Sequence, residues 1–117
     1  MEIKDCRLSK SEIVRKRTEF KAVFSSTHVM SSPSLTLRWI ENPTRKIGFI
    51  VTKDVASQAV KRNRVKRQLR EIYRTNKDSF SEHNQYVVQA RKLILTKSFD
   101  EVKEDFLSLA RKTNEQK

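Results

Sequence analysis

Apolar residues along the chain follow two different periods. Leu35, Leu37 and Trp39 alternate with Thr36, Arg38 and Ile40, and the alternation resumes with Ile47, Phe49 and Val51 between Lys46 and Thr52. A period of two sends successive side chains to opposite faces of a strand, so both stretches predict strands with one buried face. Asn42-Pro43-Thr44 between them has turn chemistry, which predicts an antiparallel hairpin. Elsewhere the period is helical. Ile13, Val14, Phe20, Val23 and Phe24 follow the capping-box pattern Ser9-Lys10-Ser11-Glu12 and predict a helix over 11–24. Ser25 to Ser34, rich in Ser and Thr and holding Pro33, breaks that helix and leaves a short edge strand at His28–Met30. Val65, Leu69, Ile72 and Tyr73 predict a helix over Gln58–Arg74, with Ser57 suited to its N-cap. Thr75 to Gln85 reads as a helix end plus loop, and Tyr86–Ala90, β-branched at its centre, as a short strand. A second capping box, Ser98 to Glu101, opens a helix bearing Val102, Phe106, Leu109 and Ala110. The order α-β-β-β-α-β-α predicts an α+β sandwich, with helices covering one sheet. One domain is expected over 1–117, with flexible ends at 1–8 and 113–117.

Charge narrows the partner. The chain carries 26 Lys plus Arg against 14 Asp plus Glu, a net charge of +12 and a pI near 10.2. That is the electrostatic footprint of nucleic-acid binding. A membrane surface is disfavoured, because no long apolar run or lipidation signal accompanies the charge. Glu2 and Asp5 with no apolar run argue against a secretory signal, and a lone Cys6 reads as a free thiol of the cytoplasm. Two histidines without close His/Cys spacing give no structural zinc site.

The charge is most concentrated where the helical apolar spacing is cleanest. Lys61, Arg62, Arg64, Lys66, Arg67, Arg70 and Arg74 put seven cations into the fourteen residues that also hold Val65, Leu69, Ile72 and Tyr73. At about 100° per residue the four apolar side chains span roughly a third of the circumference. Such a helix can be held by one side while Arg62, Lys66, Arg70 and Arg74, stepping by four, offer donors along an edge. Regularly spaced phosphates are the matching ligand. Catalytic equipment is sparse: no carboxylate pair on a two-metal framework, no Ser-His-Asp or Cys-His set, and one glycine in the chain. No catalytic residue is assigned.

The stretch Ala59-Val60-Lys61-Arg62-Asn63-Arg64-Val65-Lys66-Arg67-Gln68-Leu69-Arg70-Glu71 resembles the arginine-asparagine-arginine motif of the bacterial ribonuclease P protein subunit. Phe20-Lys21-Ala22-Val23-Phe24, Gly48-Phe49-Ile50-Val51-Thr52-Lys53 and Tyr86-Val87-Val88-Gln89-Ala90-Arg91 occur in that family's order, so the resemblance covers roughly residues 8–112. It implies a two-layer, ribosomal-protein-like fold with a left-handed βαβ crossover, against the usual right hand. It also implies a function: binding a catalytic RNA subunit and precursor tRNA, and assisting endonucleolytic removal of the 5′ leader. Chemistry would be hydrolysis on the RNA with Mg2+ bound mainly by RNA, and neither membrane nor DNA is an expected partner.

By the same resemblance, Lys61, Arg62, Asn63, Arg64, Lys66, Arg67, Arg70 and Arg74 dock on the catalytic RNA. Asn63 adds no charge, so it is a candidate for a specific hydrogen bond or for satisfying a loop carbonyl. Phe20 and Phe24 read as core from spacing alone; the resemblance puts them in a cleft for the single-stranded leader with Lys21 and Lys53. Arg15 and Arg17 are alternatives for extending its rim, and Arg17 is taken into the set. Trp39 is expected in the core, and His28 and His83 in solvent. The chain departs from the family pattern at Asp54, at Ser57 and at Ser25-Ser26-Thr27, where a cation and two glycines are usual. The alternative reading is a structural RNA-binding protein of ribosomal type without a processing role.

Overall fold

The computed structural model describes residues 13–14, 17–26 and 28–115. The topology is governed by β4 (Asn84–Ala90), which buries Gln85, Tyr86, Val87 and Val88 in succession. A strand covered on both faces belongs inside a sheet, and β4 lies between β2 (Leu35–Glu41) and β3 (Lys46–Ile50). With β1 (Val29–Ser31) on the far edge, the order is β1-β2-β4-β3. β2 pairs antiparallel with β1 and with β4, whereas β3 runs parallel to β4.

The hairpin expected of β2 and β3 is therefore not formed. Asn42–Arg45 carries the chain across the end of β4, which places Glu41 opposite Asn84 and Lys46 beside Gln85. Local turn chemistry is satisfied, but the centre goes to the strand with the longest buried run. The parallel step from β3 to β4 is bridged by α2 (Ala59–Thr75), as parallel neighbours require.

Side chains on one sheet face, Leu35, Leu37 and Trp39 from β2, Ile47 from β3, and Tyr86, Val88 and Ala90 from β4, form the main core. They meet Val65, Leu69, Ile72 and Tyr73 of α2, and Val102, Phe106, Leu109 and Ala110 of α3 (Phe99–Glu115). Phe80 sits among them, with its ring edge-to-face against Tyr73, Tyr86 and Phe106 at 5.0–5.4 Å. The segment read as loop after α2 thus supplies a core aromatic, steadied by a 3-10 turn at Lys77–Ser79. The α3 capping box forms reciprocally: Ser98 N–H donates to Glu101 Oε1 at 3.1 Å, and Glu101 N–H to Ser98 Oγ at 3.2 Å. Contrary to the expected flexible end, the helix runs through Thr113, which is buried and bonds Ala110 O. The expected end at 1–8 and the Ser9–Glu12 capping box lie outside the described residues.

The first helix begins later than its periodicity suggests. α1 spans Arg17–Phe24, while Ile13 and Val14 are extended along the outer edge of β3. Val14 N–H donates to Ile47 O at 2.9 Å, so this pair caps part of an otherwise open strand edge. α1 lies on the sheet face opposite α2 and α3. Glu19 takes a 2.8 Å ion pair from Lys46 and its carbonyl accepts from Gln85 Nε2, while Val23 is fully buried.

Candidate nucleic-acid interface

α2 is anchored along one stripe, as its spacing predicts: its buried residues are Val65, Leu69, Ile72 and Tyr73. At about 100° per residue, Arg67 stands roughly opposite the centre of that stripe, flanked by Asn63, Arg64 and Arg70. All four are exposed, as is Lys61, and Lys66 is half-buried at the edge. The two ends of the predicted ridge are engaged differently. Arg62 turns back, its Nη1 donating to Ala56 O at 3.0 Å and Ser57 O at 2.8 Å. Arg74 pairs with Glu71, at 2.6 Å between Nη2 and Oε1, and this contact holds the Glu71 carboxyl below the usual carboxylate range.

Ser57 does not cap the helix; Gln58 occupies the N-cap without a side-chain bond. Arg62 instead ties the first turn to the carbonyls of the preceding loop, and it takes the loop-bonding role that sequence left open for Asn63. Substitution of the usual glycines costs no unusual backbone, since no described residue has positive φ. After α1, serine side chains do the work instead. Ser25 Oγ donates to Lys21 O at 2.9 Å, and Ser26 Oγ reaches Trp39 O at 3.0 Å.

The second candidate surface is the flank of α1. Arg17, Phe20, Lys21 and Phe24 fall within about 100° of arc beside the buried Val23. Phe20 is half-buried, Phe24 is 42% exposed, and Arg17 and Lys21 are exposed. Phe20 is seated by Gly48 of β3: a Cβ there would lie 2.8 Å from Phe20 Cε1 and 3.0 Å from Val14 Cβ. Lys53 is exposed in a turn beyond the end of β3, next to the exposed Asp54. Trp39 is buried in the core, with the exposed His28 edge-on to it at 5.3 Å, and His83 is exposed.

Two residues of this face had no place in the sequence reading. Arg38 of β2 holds its guanidinium 5.0 Å from the Phe24 ring centroid and donates from Nη1 to Gln89 Oε1 of β4 at 2.9 Å. Both occupy positions out of phase with the buried alternation, so only the sheet register brings them together. The signal available in sequence was a cation opposite an amide on the non-core phase of two strands.

Comparison with known proteins bears on the family and the fold. The family model for Ribonuclease P matches residues 8–114. The ribonuclease P protein component of Geobacillus sp. is 30% identical over 108 residues, covering 90% of this chain and 92% of its own length. That of Syntrophomonas wolfei is 32% identical over 107 residues, covering 90% and 89%. Among solved structures, the RNase P protein from Thermotoga maritima superimposes with a TM-score of 0.77 at 26% identity, covering 86% of this chain and 96% of its own.

Proposed function

Because the chain belongs to the ribonuclease P protein family, we propose that it is the protein subunit of a ribonucleoprotein that removes the 5′ leader from precursor tRNA. In this reading α2 docks on a catalytic RNA and the α1 flank holds the single-stranded leader. The observation that carries it is the division of α2 into a buried apolar stripe and an exposed side bearing Arg64, Arg67 and Arg70. A rigid, pre-ordered row of guanidinium groups binds phosphates without the entropic cost of ordering a flexible tail, and each neutralised phosphate releases counterions. Arg62 and Lys61 support the row from its N-terminal end, and Lys66 from its edge.

For the leader, the exposed ring of Phe24 offers a stacking face, with Phe20 behind it and Arg17, Lys21 and Lys53 supplying charge. Base–aromatic stacking is worth about 1–3 kcal/mol per base and tolerates any sequence. Hydrolysis is assigned to the RNA partner with its Mg2+. Among the described residues no group of three or more His, Cys, Asp or Glu could hold a metal ion. The chain's contribution is binding and electrostatics. The proposed setting is the cytoplasm, and no described helix is long and apolar enough to cross a membrane.

Reconstitution tests this reading. The purified protein is expected to restore leader cleavage to its cognate catalytic RNA at low magnesium, and to leave precursor tRNA intact when alone. Cleavage by the polypeptide alone would refute the division of labour. Tight RNA binding with no help to cleavage would point instead to a structural RNA-binding protein.

A further inference from the structure

One carboxylate interrupts the basic side of α2. From Lys61 to Arg74 the chain carries seven cations and a single acid, Glu71. At about 100° and 1.5 Å per residue, Arg67 and Arg74 stand almost in line, about 10 Å apart along the helix axis. Glu71 lies between them, roughly one turn from each, and is exposed. A row of phosphates following the outward side from Arg67 to Arg74 therefore passes over a negative charge.

That carboxylate is bound to one of the two arginines. Arg74 Nη2 donates to Glu71 Oε1 at 2.6 Å, and Arg74 Nε donates to Glu71 Oε2 at 3.1 Å. Two side-by-side bonds from a guanidinium are also how arginine grips a phosphate. Glu71 thus sits where a phosphate oxygen pair would sit. As a source of stability the contact counts for little. Both side chains are open to solvent, at 38% and 47%, and exposed ion pairs one turn apart on a helix add little to a fold. The helix is already held by Val65, Leu69, Ile72 and Tyr73. The effect of the pair falls instead on what the outward side can bind.

We propose that Glu71 limits the grip of α2 on RNA, by occupying the fork of Arg74 and by repelling phosphate between Arg74 and Arg67. A phosphate arriving at Arg74 has to displace the carboxylate, so it gains only the difference between two similar contacts. The outward side then neutralises fewer phosphates than its cations would allow, and its affinity falls less steeply with salt. The limit is local. Among the described residues no carboxylate is paired with Arg64, Arg67 or Arg70, which carry the docking. This inference rests on α2 being the RNA-docking surface, and it concerns how strongly that surface holds.

The test measures the affinity of the full chain for its cognate catalytic RNA across a salt series, together with the melting temperature of each variant. Glu71→Gln, which keeps the shape and removes the charge, should bind several-fold more tightly at moderate salt and steepen the slope of log affinity against log salt by about one phosphate. Its melting temperature should stay close to that of the parent protein. Adding Arg74→Ala to Glu71→Gln should return the slope to the parent value. Unchanged or weaker binding by Glu71→Gln overturns the proposal, and weaker binding with a lowered melting temperature identifies the pair as a structural brace. A gain that survives Arg74→Ala undiminished overturns it too, since Arg74 would then not be the group withheld. Arg67→Ala separates the two levels of the argument. If it leaves the salt slope unaltered, α2 is not the docking surface and this inference falls with that reading; if it lowers the slope while Glu71→Gln gains nothing, the inference alone is sunk.

Discussion

A missing methyl group decides how α1 meets the sheet. Gly48 is the chain's single glycine, and its φ is not positive, so conformational freedom is not why it is there. Its use is closeness: Phe20 and Val14 occupy the space a Cβ would need. Gly48→Ala should destabilise the fold by about 1–3 kcal/mol, the usual cost of overpacking, because Val14 is held by its bond to Ile47 and cannot retreat with the Phe20 ring. A urea midpoint unchanged by the substitution would show that α1 is free to ride outward. Residue types thus carried part of the interface in plain view. Phe20 and Phe24 were legible as a helical pair, but spacing could not say that one is wedged over a glycine and the other left half open. Arg38 and Gln89 were illegible for a related reason, since out-of-phase strand positions read as ordinary solvent-facing residues until the pairing partner is known.

Within α2, arginines that look equivalent by composition separate by what they touch. Arg62 donates to two carbonyls of the preceding loop, so Arg62→Ala should cost about 1 kcal/mol of stability through lost charge-assisted hydrogen bonds. Arg67→Ala should leave stability unaltered and reduce the slope of log affinity for the catalytic RNA against log salt by about one phosphate. If the two variants exchange these signatures, the outward side of α2 has been misassigned. At α3, the bond from the Ser98 backbone N–H, joined by the Ser98 hydroxyl, holds the Glu101 carboxyl below the usual carboxylate range. A lowered pKa stabilises the fold above the ordinary carboxylate value and is lost as pH falls through the depressed one. Glu101→Gln should therefore lower the melting temperature near neutral pH, with the gap from the parent protein narrowing in acid; a gap independent of pH would mean the Glu101 charge takes no part. The α3 capping box and the apolar stripes of α2 and α3 were readable because their signals are local. Strand identity was local too, but strand order was not: β2 and β3 have every feature of a hairpin, and only the doubly buried run of β4, some forty residues further on, displaces it. Ile13 and Val14 misled in the same way, since an edge-pairing partner cannot be seen from helical spacing.

At the scale of the molecule, a charge of +12 is spread over a fold with basic groups on both sides of its sheet, α2 on one and the α1 flank on the other. Self-repulsion works against the compact state, and ions that bind the folded form offset it. Sulfate should raise the melting temperature more than sodium chloride at equal ionic strength; identical shifts would indicate screening alone, with no preformed anion sites. Opposed surfaces also suit the role proposed above, in which one subunit touches two RNAs at once. The central seat of β4 has one more consequence, which concerns time. As the chain emerges from the ribosome, β1, β2 and β3 are all synthesised before the strand that separates β2 from β3, and their lane stays vacant until Asn84–Ala90 arrives. A nascent chain stopped short of that point has two strands, four residues apart, free to zip onto each other in the wrong neighbourhood, so the arrival of β4 is what commits the protein to its sheet.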